Sequence, residues 1–198
     1  MIDFKKETAK VLLESGEKIA QMIAQESFDL WSRKDFRMFI DFDHQTQTEQ
    51  DRIFNELEVS LIGLYVLHFD NAIETATDQA KVLVFKGLRE GIQTGFLKIL
   101  SDNGVEVKFL KMWEGLIKTR VKEYREDYKI AMKMSAKDKS FAIKDADLRP
   151  AWARAETLKI DCLSHIRRGN FDEKDPLWKF LTKWFITMDA RLNPLTTK

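Results

Sequence analysis

The sequence predicts an all-α bundle of about six helices, mainly antiparallel and up-and-down, forming a single domain over residues 1–198. Three observations carry that expectation. Leu57–Ile73 is apolar on two roughly opposite faces at 3.6 residues per turn; apolar residues elsewhere also recur at helical spacing; and 198 residues contain only 3 Pro and 8 Gly. A chain of this length is enough for one sizeable core, and 14 Phe and 5 Trp supply much of it.

The first amphipathic helix is expected over residues 3–26, where Phe4, Thr8, Leu12, Gly16, Ile19 and Ile23 form one stripe. An aromatic stretch follows to residue 42, with Phe28, Trp31, Phe36, Phe39 and Phe42, and reads as a short helix or wrapped loop plugging one end of the bundle. The polar run from His44 to Asp51 leads into the central helix, residues 48–74, and Thr46 with Glu49 has the form of a capping box. Leu57, Leu61, Leu64, Tyr65, His68 and Ala72 line one face of that helix; Val59, Ile62, Val66, Phe69 and Ile73 line the other. A helix apolar on both sides has to be buried. It is too short, and Glu58, His68 and Asp70 make it too polar, for a membrane span.

The helix over 77–102 follows after a few residues, so it folds back antiparallel, and Asp102-Asn103-Gly104 stops it. A long amphipathic helix spans 105–134, and residues 135–148 read as the most mobile connection. Arg149-Pro150 opens a further helix ending at Gly169. Asp175-Pro176 starts the last, which buries Leu177, Trp178, Leu181, Trp184, Phe185 and Met188 and stops at Asn193-Pro194.

Net charge is +1, so no global field draws the protein to nucleic acid or an anionic membrane, and any such affinity must come from local clustering. A single cysteine, Cys162, rules out an intramolecular disulfide; with no leader-like N-terminal segment, a cytoplasmic location is expected.

Gly87, Gly91 and Gly95 form a stripe in the 77–102 helix. Each glycine costs about 1 kcal/mol against alanine inside a helix, so a close approach must compensate. The expected register sets them opposite Tyr65, Leu61 and Leu57. The structural account is bulky side chains packed into a glycine groove; the functional account is a groove, lined also by His68 and Tyr65, that admits a flat or elongated ligand. His68 itself is either a hydrogen-bonded core histidine or a ligand to a metal or haem.

The di-iron pattern of four-helix proteins fails, because Tyr65 and Cys162 stand three residues before His68 and His165 where Glu is required. No His-Glu-x-x-His, paired-cysteine or EF-hand spacing occurs, and no cofactor or metal is assigned. Gly87 to Gly95 lies mid-helix rather than at a strand-to-helix turn, which disfavours a nucleotide enzyme, and no Gly-x-Ser-x-Gly elbow is present.

Asp161 and His165, four residues apart and sharing a face with Arg154 and Arg168, could raise the histidine pKa for acid–base work or form an ordinary surface pair. Cys162 faces an apolar arc with Ala151, Ala155 and Leu158 and reads as an inert core thiol.

Lys108, Lys111, Lys118, Lys122, Arg125 and Lys129 fall within one arc of the 105–134 helix, flanked by Glu114 and Glu126. This row is either a solvated face or a site for an acidic protein or other polyanion; were DNA bound, six neutralised phosphates would give a salt slope of about −5. Sequence-specific nucleic-acid reading is not expected, since no helix-turn-helix stands out. The leading expectation is therefore a non-enzymatic adaptor that presents this basic face and self-associates as a homo-oligomer. The first alternative is a small-ligand, haem or metal protein with a pocket between the 48–74 and 77–102 helices near His68, and the second an unrecognised enzyme using Asp161 and His165.

Overall fold

A computed structural model describes residues 4–137 and 148–196, and their side chains from Lys10 to Leu192. The described residues form seven α-helices and one 3-10 turn: α1 (Phe4–Ser32), α2 (Lys34–Phe39), the turn Phe42–His44, α3 (Gln47–Thr75), α4 (Gln79–Asp102), α5 (Val107–Lys137), α6 (Arg149–Arg167) and α7 (Pro176–Thr196). Residues 138–147, most of the connection expected to be mobile, lie outside the described residues.

The central post is α3. It packs against α1, α4, α5, α6 and α7, and Leu57, Val59, Leu61, Ile62, Leu64, Val66 and Phe69 are each fully buried. Burying a side chain of this size stabilises the fold by roughly 1.5–3 kcal/mol, so one helix apolar on every side organises the whole core. Gly63 lies within it because the Tyr124 ring of α5 rests on the backbone there, where an added Cβ would come within 2.6 Å of Cε2. The Tyr124 hydroxyl and Ser60 Oγ meet at 3.3 Å.

Local signals set most helix ends. Thr46 Oγ1 accepts from the Glu49 amide at 3.3 Å, but the Glu49 carboxylate bonds Arg52 and Arg168 instead of returning to Thr46, so only half of the capping box forms. Asp175 caps α7 by accepting from the Leu177 amide at 2.9 Å. Gly104, at φ 81°, donates to the Ser101 carbonyl and closes α4.

Two expected ends move. The first helix runs past residue 26 to Ser32, because Ile23, Ser27 and Leu30 keep facing the core until Arg33 turns extended. Asn193-Pro194 does not stop α7, which continues to Thr196. Proline lacks only its own N–H, and in a final turn the loss of one helical bond is tolerable.

The aromatic plug forms from α2 and its surroundings. Trp31 packs edge-on against Phe42 and Phe54 at 5.1 and 5.5 Å, and Phe180 meets Phe36 and Phe39 at 5.9 and 5.6 Å. Phe28 takes no part, standing on the outer face of α1 at 55% exposure.

Candidate functional site

A charge cluster is buried beside α3. Arg154 of α6 donates from Nε and Nη2 to the two carboxylate oxygens of Asp189 of α7, at 2.6 and 2.9 Å, with the two residues 3% and 2% exposed. His68 Nδ1 lies 3.6 Å from the same Asp189 carboxylate. Burial pushes the Asp189 carboxyl up, but His68 and Arg154 more than reverse this and hold it below the ordinary value. Arg154 also acts on the Tyr128 hydroxyl through its charge and a side-chain hydrogen bond, both pulling down a pKa that burial raises. Arg154 Nη1 is closed off from solvent and makes no hydrogen bond of good geometry among the described residues.

A cleft of about 400 Å³ opens on this cluster, with His68, Asn71, Thr75, Asp78, Lys81 and Arg154 among its polar lining and Phe85 and Pro150 among its apolar lining. Three helix ends converge there: the end of α3 and the starts of α4 and α6. Asp78 caps α4 by accepting from the Ala80 amide at 2.8 Å, whereas Leu148 supplies no side-chain cap for α6. The starts of α4 and α6 bring partial positive charge to the cleft, offset in part by the carbonyl end of α3 and by Asp78.

Of the residues singled out for a ligand groove, only His68 reaches this cleft. Tyr65, one turn before His68, is buried and does not line the cleft; burial raises its hydroxyl to about 12, with the charges of Glu26 of α1 and Arg191 of α7 acting in opposite directions. The glycine stripe faces α1 and not Tyr65, Leu61 and Leu57. A Cβ on Gly87 would come within 2.6 Å of Leu12 Cδ1, one on Gly91 within 3.2 Å of the Gly16 Cα, and one on Gly95 within 2.7 Å of the Glu17 Cα. The reason is the split surface of α4: Phe85, Ile92 and Phe96 are its buried apolar stripe, with Phe85 meeting Phe69 of α3 at 6.1 Å. The glycines sit about a third of a turn away from that stripe, where α1 lies against α4. They form a helix seam and line no ligand groove at His68.

The basic row of α5 is half neutralised by neighbours. Lys108 pairs with Glu106 at 2.8 Å, Lys118 with Glu114 at 3.7 Å, and Arg125 with Asp70 at 2.7 Å, where Arg89 also binds at 2.6 Å. Lys111, Lys122 and Lys129 are exposed, with no carboxylate at ion-pair distance among the described residues.

Asp161 and His165 do not form the expected pair. Burial first, and then the negative charges of Asp127 and Glu123, push the Asp161 carboxyl up to about 7, while Arg120 pulls the other way. The His165 pKa is lowered, chiefly by burial, which is opposite to the expected rise. Arg154 and Arg168 are engaged elsewhere, with Asp189 and Glu49. Cys162 is fully buried and its thiol is raised to about 12 by burial, which keeps it protonated.

Arg154, Asp189, Lys81 and Asp78 were not legible as a cluster in the sequence. One signal pointed to part of it: Asp189 follows Phe185 by one turn and flanks the apolar stripe of α7, and a charge there implies a buried partner. Among the described residues no three His, Cys, Asp or Glu side chains converge as a metal-holding group, and no helix is long and apolar enough to cross a membrane. No protein-family model, no curated protein and no solved structure matches this chain.

Proposed function

We propose that this protein is a small-molecule-binding helical bundle whose site is the cleft beside His68, and that the ligand carries a carboxylate or phosphate group. One observation carries the reading: Lys81 and the buried Arg154–Asp189 pair line a cleft of about 400 Å³ beside His68, where α4 and α6 begin. That volume suits a small ligand. Asp189 already balances the Arg154 charge, so the counter-charge for an incoming anion comes from Lys81, with the starts of α4 and α6 adding positive potential.

The test is a thermal-shift and calorimetric titration with inorganic phosphate and with succinate. A ligand at one hundred times its Kd stabilises by about 2.7 kcal/mol, well within detection. Ala151→Leu, which fills the half-buried mouth without touching the ion pair, and Lys81→Gln should each weaken binding at unchanged fold. Equal binding by the filled variant and the natural protein would place the anion elsewhere and refute the reading.

A second reading, an adaptor docking an acidic protein on α5, is favoured by the free ammonium groups of Lys111, Lys122 and Lys129, the first of them near exposed Phe109 and Met112, at 44% and 67% exposure. Charge reversal of the three lysines should abolish capture of such a partner while leaving thermal stability almost unchanged. Recovery of the same partners by the triple variant would end this reading.

A further inference from the structure

A groove of about 670 Å³ lies where the last turns of α3 meet α5, with Arg89 reaching in from α4; it shares only Asn71 with the cleft at His68. Its apolar lining includes half-buried Ile73 and Met132 and the ring of Tyr128. Four cations line it, Arg89, Arg125, Lys129 and Lys133, against two carboxylates, Asp70 and Glu74. The groove therefore carries two surplus positive charges in a chain whose net charge is +1.

Asp70 fixes the arrangement. Its Oδ1 accepts from Arg89 Nη1 at 2.6 Å and from Arg125 Nη2 at 3.3 Å, and its Oδ2 accepts from Arg125 Nε at 2.7 Å. One carboxylate, 19% exposed, thus holds two guanidinium groups from two helices side by side and balances the charge of only one. Glu90, outside the groove, stands 3.8 Å from Arg89 Nη2 and is 73% exposed, so water screens most of its effect. A second observation points the same way: Arg125, Lys129 and Lys133 follow one another at four-residue spacing along α5. Like charges one turn apart destabilise a helix. Lys129 and Lys133 are exposed, with no carboxylate at ion-pair distance among the described residues. A multivalent anion lodged between this row and Arg89 relieves the repulsion along α5 and supplies the counter-charge that Asp70 does not.

The size of the surplus selects the anion. A phosphomonoester is close to a dianion at neutral pH, and its three terminal oxygens accept from several guanidinium nitrogens at once, whereas a carboxylate or a sulfate ester carries a single charge. From this geometry we infer that the groove between α3 and α5 binds an organic phosphomonoester, its phosphate bridging Arg89, Arg125 and Lys129 and its apolar body lying along Ile73, Tyr128 and Met132.

Phenyl phosphate, phenyl sulfate and benzyl alcohol serve as probes in calorimetry on the full chain at pH 8, each titration being repeated in Ala151→Leu, which fills the cleft at His68. The expected result is phenyl phosphate bound at least about tenfold more tightly than phenyl sulfate, as one further charge contact provides, with benzyl alcohol weakest and the order kept in Ala151→Leu. Lys129→Gln with Lys133→Gln, at exposed positions without ion pairs, leaves the fold intact and should weaken phenyl phosphate at least about tenfold. Lys118→Gln with Lys122→Gln removes the same charge from α5 outside the groove and should leave the affinity within about twofold. Phenyl sulfate binding as tightly as the phosphate, an affinity unaltered in the Lys129 and Lys133 variant, an equal loss in the Lys118 and Lys122 variant, or no saturable binding at millimolar concentration would each overturn the assignment. Loss of all binding in Ala151→Leu would overturn it too, and would place the anion beside His68; binding kept in Ala151→Leu and lost with Lys129 and Lys133 belongs to this groove whatever the cleft at His68 holds.

Discussion

Gly16 of α1 lies directly against Gly91 of α4: a Cβ built on Gly16 would stand 2.5 Å from the Gly91 Cα and 2.7 Å from its carbonyl oxygen. These are backbone atoms and cannot rotate away. Gly16→Ala should therefore force the two helices apart and destabilise by about 1–3 kcal/mol through overpacking, despite the gain in helix propensity. Gly115→Ala is the matched control, since nothing lies within 4 Å of its added Cβ, and it should stabilise by about 1 kcal/mol. Urea melts of both variants check the pair, and equal effects would mean that the α1–α4 seam is looser than described.

Glu58 is buried in α3 at 6% exposure, and burial raises its carboxyl to about 8. Below the ordinary glutamate value of 4.5 both folded and unfolded chains hold the proton, so Glu58 adds no pH dependence. Between 4.5 and about 8 the unfolded chain has lost the proton and the folded chain has not, so stability falls as pH rises, and it levels off above about 8. Glu58→Gln should remove that slope and be more stable than the natural protein at pH 8 by on the order of a few kcal/mol. Denaturant midpoints across this range give the measurement; parallel curves would contradict it.

Asp189 works in the opposite sense. Its folded pKa lies below the ordinary value, so its stabilisation is complete above the ordinary aspartate range and is lost as pH falls through the lower folded value. Asp189→Ala leaves the Arg154 guanidinium buried without its counter-charge and should cost about 3–5 kcal/mol. Changing both, Arg154→Met with Asp189→Leu, should cost far less than the single change. A double-mutant cycle by thermal melting tests this.

Cys162 should be silent towards thiol reagents in the native protein. It is fully buried and held protonated by burial, and the reagent needs an exposed thiolate. At pH 8 labelling by a disulfide reagent should therefore proceed only at the rate of opening and become immediate in denaturant. Rapid labelling under native conditions would show that α6 separates from the core.

How much of this was legible depended on whether the signal lay within one helix. The burial of Leu57 to Phe69 was readable because a helix apolar on both faces has no side left for water, and the caps at Thr46 and Asp175 act over two or three residues. The glycine stripe announced a close approach, but α3 and α1 were both available, and side-chain bulk elsewhere on α4 decided between them. Asp161 and His165 are one turn apart, yet burial and the charged groups of α3 and α5 set their protonation, and neither can be read along α6.

By itself the sequence determined the helices, their main starts and the identity of the buried central one, because propensity, capping and apolar periodicity are local. The tertiary structure alone decided that Arg154 meets Asp189 across 35 residues, that both stand beside His68, and that a cleft opens there. The rotation of each helix against its neighbours follows from packing the whole core at once, and no single helix carries that information in its own pattern.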